Sequence, residues 1–381
     1  MTSNFVYAGD LMAQRASSVD PSKFPNEEFE LHSIPAFDAG KPEILTGDQI
    51  GSTKKLVEPN DVMLSKIVPH IRRSSIVPEF TGRRQIASSE WIVFRNRQFF
   101  PDYLRHALTS NTFHAKFMAT VSGVGGSLLR ARPAEVAKIK IPLPPLAEQR
   151  RLADLLSRAE GIVRLRREAA AKATELIPAL FLDMFGDPAS NPKDWPLVPF
   201  GELGQLDRGK SRHRPRDAQE LYDGPYPFVQ TGDVANSGGR ITRYTQTYSE
   251  LGLAQSRLWP MGTLCITIAA NIARTGVLEF DACFPDSVVG FTAGNGVTTE
   301  YIQHWLGFLQ PMLEANAPQA AQKNINLSIL RNLPVPAPPI TLQHQFAAKA
   351  EAIRAIATQQ TAALATAQAT FDALLHRAFA R

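Results

Sequence analysis

Five of the nine residues from Arg208 to Arg216 are Arg or Lys, in the order Arg208-Gly209-Lys210-Ser211-Arg212-His213-Arg214-Pro215-Arg216. Cations on a flexible, proline-broken segment suit phosphate contacts, and a planar guanidinium also matches a guanine edge. Smaller clusters occur at Lys54-Lys55, Arg72-Arg73 and Arg83-Arg84. Polar side chains able to pair with base edges stand at likely strand ends: Gln230 and Thr231 in one turn, Asn271 and Arg274 in another. In the first half, Lys66, His70, Arg72 and Arg73 occupy the matching stretch. For each of these residues, turn or cap chemistry is the competing reading, and for the basic run it is a solvated loop.

One pattern match fails on context. Gly204 to Ser211 has the phosphate-loop spacing, glycine, four residues, then Gly-Lys-Ser. That loop requires a buried strand before it and a helix after it, so that amides and helix dipole converge on phosphates. Here Arg-His-Arg-Pro-Arg follows Ser211 and cannot begin an apolar-faced helix. Catalytic constellations are missing as well. The sequence has no Asn/Asp-Pro-Pro-aromatic tetrapeptide and no nucleophile elbow, and its eight histidines lack metal-ligand spacings.

The clusters sit on a chain of 381 residues with net charge +5 and a sequence pI near 9.2, so charge placement says more than charge total. No run approaches ~18 uninterrupted apolar residues, and the N-terminal stretch lacks a charged start before an apolar core. The expectation is a cytoplasmic protein without a membrane span. Cys265 and Cys283 lie among apolar neighbours and read as buried thiols, with a disulfide left open.

The elements that must position these residues come in two copies. Ile141 to Gly186, IPLPPLAEQRRLADLLSRAEG… to its end, is matched without a gap by Val335 to Ala380 at an offset of 194 (336 − 142). Val6–Leu11, Pro59–Leu64 and Tyr103–Leu108 have counterparts at Val198–Leu203, Pro260–Cys265 and Tyr301–Leu306. Short apolar runs at Phe29–Phe37, Val62–Val68 and Trp91–Phe94 predict strands, and Pro101 begins a predicted helix. In the proline-led segments, positions spaced four and three apart form apolar seams broken only at Arg166 and Gln360. Such seams predict a coiled coil, with Arg166 and Gln360 meeting at its centre if the helices run antiparallel. Pro178 is expected to kink or end the first helix near Thr174–Ile177.

The fold expectation is therefore α+β: two small mixed α/β domains separated by two long antiparallel helices, a pseudo-twofold tandem repeat. Its parts are a first domain (1–140), a first spacer helix (141–190), a second domain (191–334) and a second spacer helix (335–381).

With the duplication, the lead-in IPLPPLAEQ (141–149), the segment Val121–Ser127, the exit Leu182–Pro188 and the re-entry Trp195…Leu203 in view, the chain resembles a specificity subunit of a type I restriction-modification system. The resemblance implies two target recognition domains, each reading half of a bipartite site on double-stranded DNA. It implies that the paired helices dock two modification (methyltransferase) subunits, with restriction (translocase/nuclease) subunits added. This chain would be non-catalytic and bind no cofactor, S-adenosylmethionine and ATP belonging to the partners. Two other readings stay open: a protein–protein scaffold without DNA contact, and a DNA-modifying enzyme with an unrecognised site.

Overall fold

The computed structural model describes residues 5–14, 17–123, 129–269, 272–315 and 325–380. The chain divides into two compact units, Met1–Ala169 with Thr361–Arg381, and Ala170–Gln360. Both long helices are therefore shared between the units.

Those helices span Leu146–Phe185 and Ile340–Phe379, 40 residues each and about 60 Å long at the α-helical rise. Both ends keep the offset of 194 (340 − 146 and 379 − 185). Of the two outcomes expected at Pro178, a kink or an end, the helix does not end there; it runs on to Phe185. The turn beyond the proline is held tertiarily, because Phe181 and Phe185 are both buried there. Gly186 (φ +81°) then stops the helix, its N–H reaching Leu182 O at 2.8 Å, and a Cβ at this position would meet Pro192 Cγ at 2.6 Å.

Every seam position on both helices is buried or half-buried except Arg166, which is exposed. In the first unit Leu152, Ala153 and Leu156 of the first helix share a core with Phe371, Leu375 and Phe379 of the second. In the second unit Phe181 and Phe185 pack on Phe346 and Ala350, ring centroids lying 5.4–5.5 Å apart. The start of each helix thus meets the end of the other, an antiparallel pair.

The first unit holds a five-stranded sheet in the order Ser18–Val19, Lys54–Leu56, Arg84–Ala87, Glu28–His32, Glu43–Thr46. A three-stranded sheet, Ser74–Ile76, Val62–Ser65, Trp91–Phe94, accompanies it. The run Phe29–Phe37 is not one strand: it breaks at Ser33, whose hydroxyl accepts from Ala36 N at 3.0 Å and caps a short helix, Ile34–Asp38, entered through Pro35. In the second unit the five-stranded sheet runs Gly204–Arg208, Val288–Ala293, Leu264–Thr267, Thr275–Leu278, Arg240–Ile241.

Each domain is joined to its helix in the same way. Phe5–Tyr7 pairs antiparallel with Lys140–Pro142, and Leu197–Pro199 pairs likewise with Pro334–Pro336. Gln149, 1% exposed, accepts from Phe100 N (2.8 Å) and donates to Gln98 O (3.0 Å) and Pro144 O (2.8 Å). Gln343, fully buried, accepts from Thr298 N (2.9 Å) and donates to Gly296 O (3.3 Å) and Pro338 O (2.9 Å). The hydroxyl of Tyr103 donates to Pro142 O (2.8 Å) and that of Tyr301 to Pro336 O (2.6 Å).

Candidate nucleic-acid interface

Strand register collects the basic residues of the second unit at one end of its sheet. Arg208 pairs with Val289, Val289 with Ile266, and Ile266 with Thr275, which places Arg274 beside the same edge. The loop that leaves Arg208 is shaped from below. Gln255 Oε1 accepts from Arg212 N (2.5 Å) and His213 N (3.1 Å), and Ser256 Oγ donates to Lys210 O (2.8 Å). The side chains of Arg208, Lys210, Arg212 and Arg274 stay exposed and form no ion pair among the described residues. Arg214 is different, folding back to donate to Ser211 O (2.8 Å) and His213 O (2.7 Å). Arg216 is held by Asp286 at 2.8 Å.

Gly204 and Gly209, whose spacing imitates a phosphate loop, are small for packing reasons. A Cβ would stand 2.3 Å from Thr292 O at the first and 2.3 Å from Phe284 O at the second. Residues 211–218 form no helix.

The first unit builds an analogous end from a hairpin. Lys66 follows the strand ending at Ser65, and Arg73 precedes the one starting at Ser74. The hairpin leans on the segment after the glycine-rich stretch: Val68 N donates to Leu129 O (3.0 Å) and Ala131 N to Lys66 O (2.8 Å). His70 and Arg72 are exposed, the latter steadied by Thr109 O (3.1 Å) and Asn111 Oδ1 (2.7 Å). Burial first, then Arg72 and His70, hold His114 below its usual range, a sign of gathered positive charge. Arg73, 8% exposed, is turned inward and grips Asp38 through Nε (2.7 Å) and Nη2 (2.8 Å).

Lys54 and Lys55 lie on one strand and so point to opposite faces. Lys54 Nζ turns to Ser52 O at 3.0 Å. Lys55 Nζ reaches Trp91 O at 2.7 Å, in a cleft of about 150 Å³ also lined by Lys66, Met12 and Pro133. Burial, then the Lys66 charge, push the Lys55 ammonium below its usual range, partly opposed by Glu90.

Residues 192–364 match the model of a family described as "Type I restriction modification DNA specificity domain". The second domain and much of the helix that follows it are thus similar to that family's DNA specificity domain. It is 23% identical over 264 residues to a type I restriction enzyme specificity subunit of Methanocaldococcus jannaschii, a match covering 66% of this chain and 59% of the relative. A chain from a structural study of assembly and conformational transition in the type I R-M system shares the fold at TM-score 0.62, with 23% identity over 99% of this chain and 97% of that one. The S subunit of a type I system from M. genitalium also shares it, at TM-score 0.55, with 13% identity over 99% and 96% of the two chains.

Several of the residues singled out in the sequence serve local structure. Gln230 is the N-cap of the helix Thr231–Ala235: its N–H donates to Asp233 Oδ2 (2.9 Å) and its side-chain amide to Gln246. Thr231 is the half-buried first residue of that helix. Arg83 pairs with Glu28 (2.9 Å), and Arg84 pairs with Glu27 (2.7 Å) while lying over Phe24 and Phe29. Asn271 and the glycine-rich residues 124–128 lie outside the described residues. Cys265 and Cys283 are buried, unbridged thiols, and no described helix is long and apolar enough to cross a membrane.

Sequence reading missed Arg257, which stacks 3.8 Å from the Trp259 ring and joins Arg331 on Asp207, each at 3.4 Å. It also missed Glu90, which ties Arg130 at 3.2 Å beneath the first hairpin. The Arg257-x-Trp259 spacing, two neighbours on one side of an extended segment, was the available signal.

Proposed function

We propose that this chain is the specificity subunit of a type I restriction-modification system and reads a bipartite site on double-stranded DNA, one half with each domain. The observation that carries the reading is the recurrence of exposed or half-exposed cations at an equivalent sheet end in both units. Lys66, His70 and Arg72 stand at one, and Arg208, Lys210, Arg212 and Arg274 at the other. Asn271, Gln230 and Thr231 are secondary candidates for base contact, and Lys54, Lys55, Arg73 and Arg214 support the backbone that carries the readers.

The paired helices are read as the docking surface for two modification subunits. Leu155, Ile162 and Leu176, spaced by multiples of seven, are 41–53% exposed, and Ile356, the repeat of Ile162, is 49% exposed. An apolar stripe left in water on the first helix, repeated on the second at Ile356 alone, fits a partner surface. Arg166 and Gln360 are proposed to mark the centre of the helix pair. S-adenosylmethionine, ATP and the reactions they support would belong to the modification and restriction subunits.

The test exposes DNA to the chain together with its modification subunits and sequences the methylated positions. Two defined half-sites separated by an unspecified gap support the reading; a single contiguous site or no methylation overturns it. DNA binding that ignores salt would point to a scaffold, because cation–phosphate contacts release counterions and weaken steeply as salt rises.

A further inference from the structure

The two domain-to-helix junctions carry part-buried ion pairs of opposite polarity. In the first unit the cation stands on the domain: Arg105 of the helix Pro101–Thr109 grips Glu160 of the long helix at 2.6 and 3.0 Å. In the second unit the anion stands on the domain. Glu300 of the helix Thr299–Ala315 pairs with Arg354 of the other long helix, and also with His304 (3.0 Å) and Arg240 (2.5 Å). Glu160 and Arg354 are the same repeat position (354 − 160 = 194).

The hydrogen bonds of the junction do not tell the halves apart, whereas its apolar part differs, with Leu152 and Leu156 against Phe371 and Leu375 in one half and Phe346 and Ala350 against Ile177 and Phe181 in the other. Gln149 and Gln343 make equivalent hydrogen bonds, Tyr103 and Tyr301 likewise, and Tyr103 meets Phe379 (5.3 Å) much as Tyr301 meets Phe185 (4.9 Å). Duplicated docking chemistry invites one copy of a tandem repeat to accept the other's helix, the usual route to swapped multimers. Exchange here would set Glu160 against Glu300 and Arg354 against Arg105. Glu300 is 8% and Arg105 18% exposed, so a like charge set against either is screened less than on an open surface, and the repulsion is greater at Arg105 because Arg240 offsets part of the Glu300 charge.

We infer that this polarity reversal is a specificity key: it confines each long helix to its own domain and excludes the helix of the other half from a second copy of this chain. The test unfolds the full-length chain in denaturant, refolds it over a range of concentrations and measures mass by light scattering beside thermal melting. Arg105→Glu/Glu160→Arg keeps the local pair but gives both halves one polarity. The expected result is a several-fold larger, concentration-dependent multimer fraction than wild type. A distribution equal to wild type overturns the inference, as does a lowered melting temperature with no change in multimers. Should that variant fail to refold, Glu160→Gln/Arg354→Gln removes both keys at part-exposed positions. More multimer than wild type then supports the key, and an unchanged fraction overturns it.

Discussion

At the root of the first long helix a buried glutamine accepts one amide and donates to two carbonyls; 194 residues later Gln343 does the same with equivalent partners. The sheet ends beyond those roots differ. One presents a hairpin with Lys66, His70 and Arg72, the other a pinned loop with Arg208, Lys210 and Arg212 beside Arg274. A junction must hold the same helix on the same kind of domain twice, and a buried polar side chain tolerates few arrangements that satisfy every partner. A solvated loop has no such restriction, so the two ends can diverge in shape and charge while the roots stay alike.

The comparison can be broken first at the aromatic seat. Phe181→Ala removes a fully buried ring packed on Tyr301, Phe308 and Phe346 and is expected to cost about 3–5 kcal/mol of stability in denaturant unfolding. A loss below ~1 kcal/mol would show that the seat relaxes around the void.

Acid should separate the halves next. Burial, reinforced by Arg105 and opposed by Glu160, lowers His106 to about 4 from 6.5. The folded state therefore binds fewer protons than the unfolded one between these values. The contribution is complete above pH 6.5 and disappears as pH falls toward 4, a change of roughly 3 kcal/mol. In the second unit burial raises Glu300, but hydrogen bonds from His304 and Arg354 outweigh it and bring the carboxyl down to about 2 from 4.5. That contribution persists to lower pH, fading only between 4.5 and 2. Hydrogen exchange at stepped pH should show the first unit loosening before the second. In His106→Gln, the slope between pH 6.5 and 4 should flatten; an unchanged slope assigns it elsewhere.

The glutamine roots offer a matched pair. Gln149→Ala and Gln343→Ala each leave an amide and two carbonyls without their partner, and each should cost about 2–3 kcal/mol in chemical denaturation. Equal losses sharpen the equivalence, and a difference above ~1 kcal/mol would end it.

The smallest expected effect on folding comes at the sheet ends. Lys66→Ala or Arg208→Ala should change stability by less than ~0.5 kcal/mol. Each should still reduce the salt dependence of DNA affinity by about one counterion per lost phosphate contact. Variants with full affinity and an unchanged salt slope would remove that residue from the interface.

Much of this was legible in residue spacing. The proline-led lead-ins, the heptad seams and the ungapped offset of 194 disclose two long helices and a duplication, because helical periodicity is a local property of sequence. Adjacent charges were less informative. Lys54-Lys55 and Arg72-Arg73 look like patches, yet strand alternation splits the first pair and Asp38 draws Arg73 inward. Pro178 looks like a stop, yet the buried rings beyond it carry the helix to Phe185. The sequence by itself determined the two helices, the repeat and the family resemblance, since these rest on periodic or contiguous residues. Tertiary structure alone decided which cations face water and which domain helix meets Glu160 or Arg354. Those outcomes depend on partners 35 to 60 residues away, and nothing local to Arg73 or Glu300 announces them.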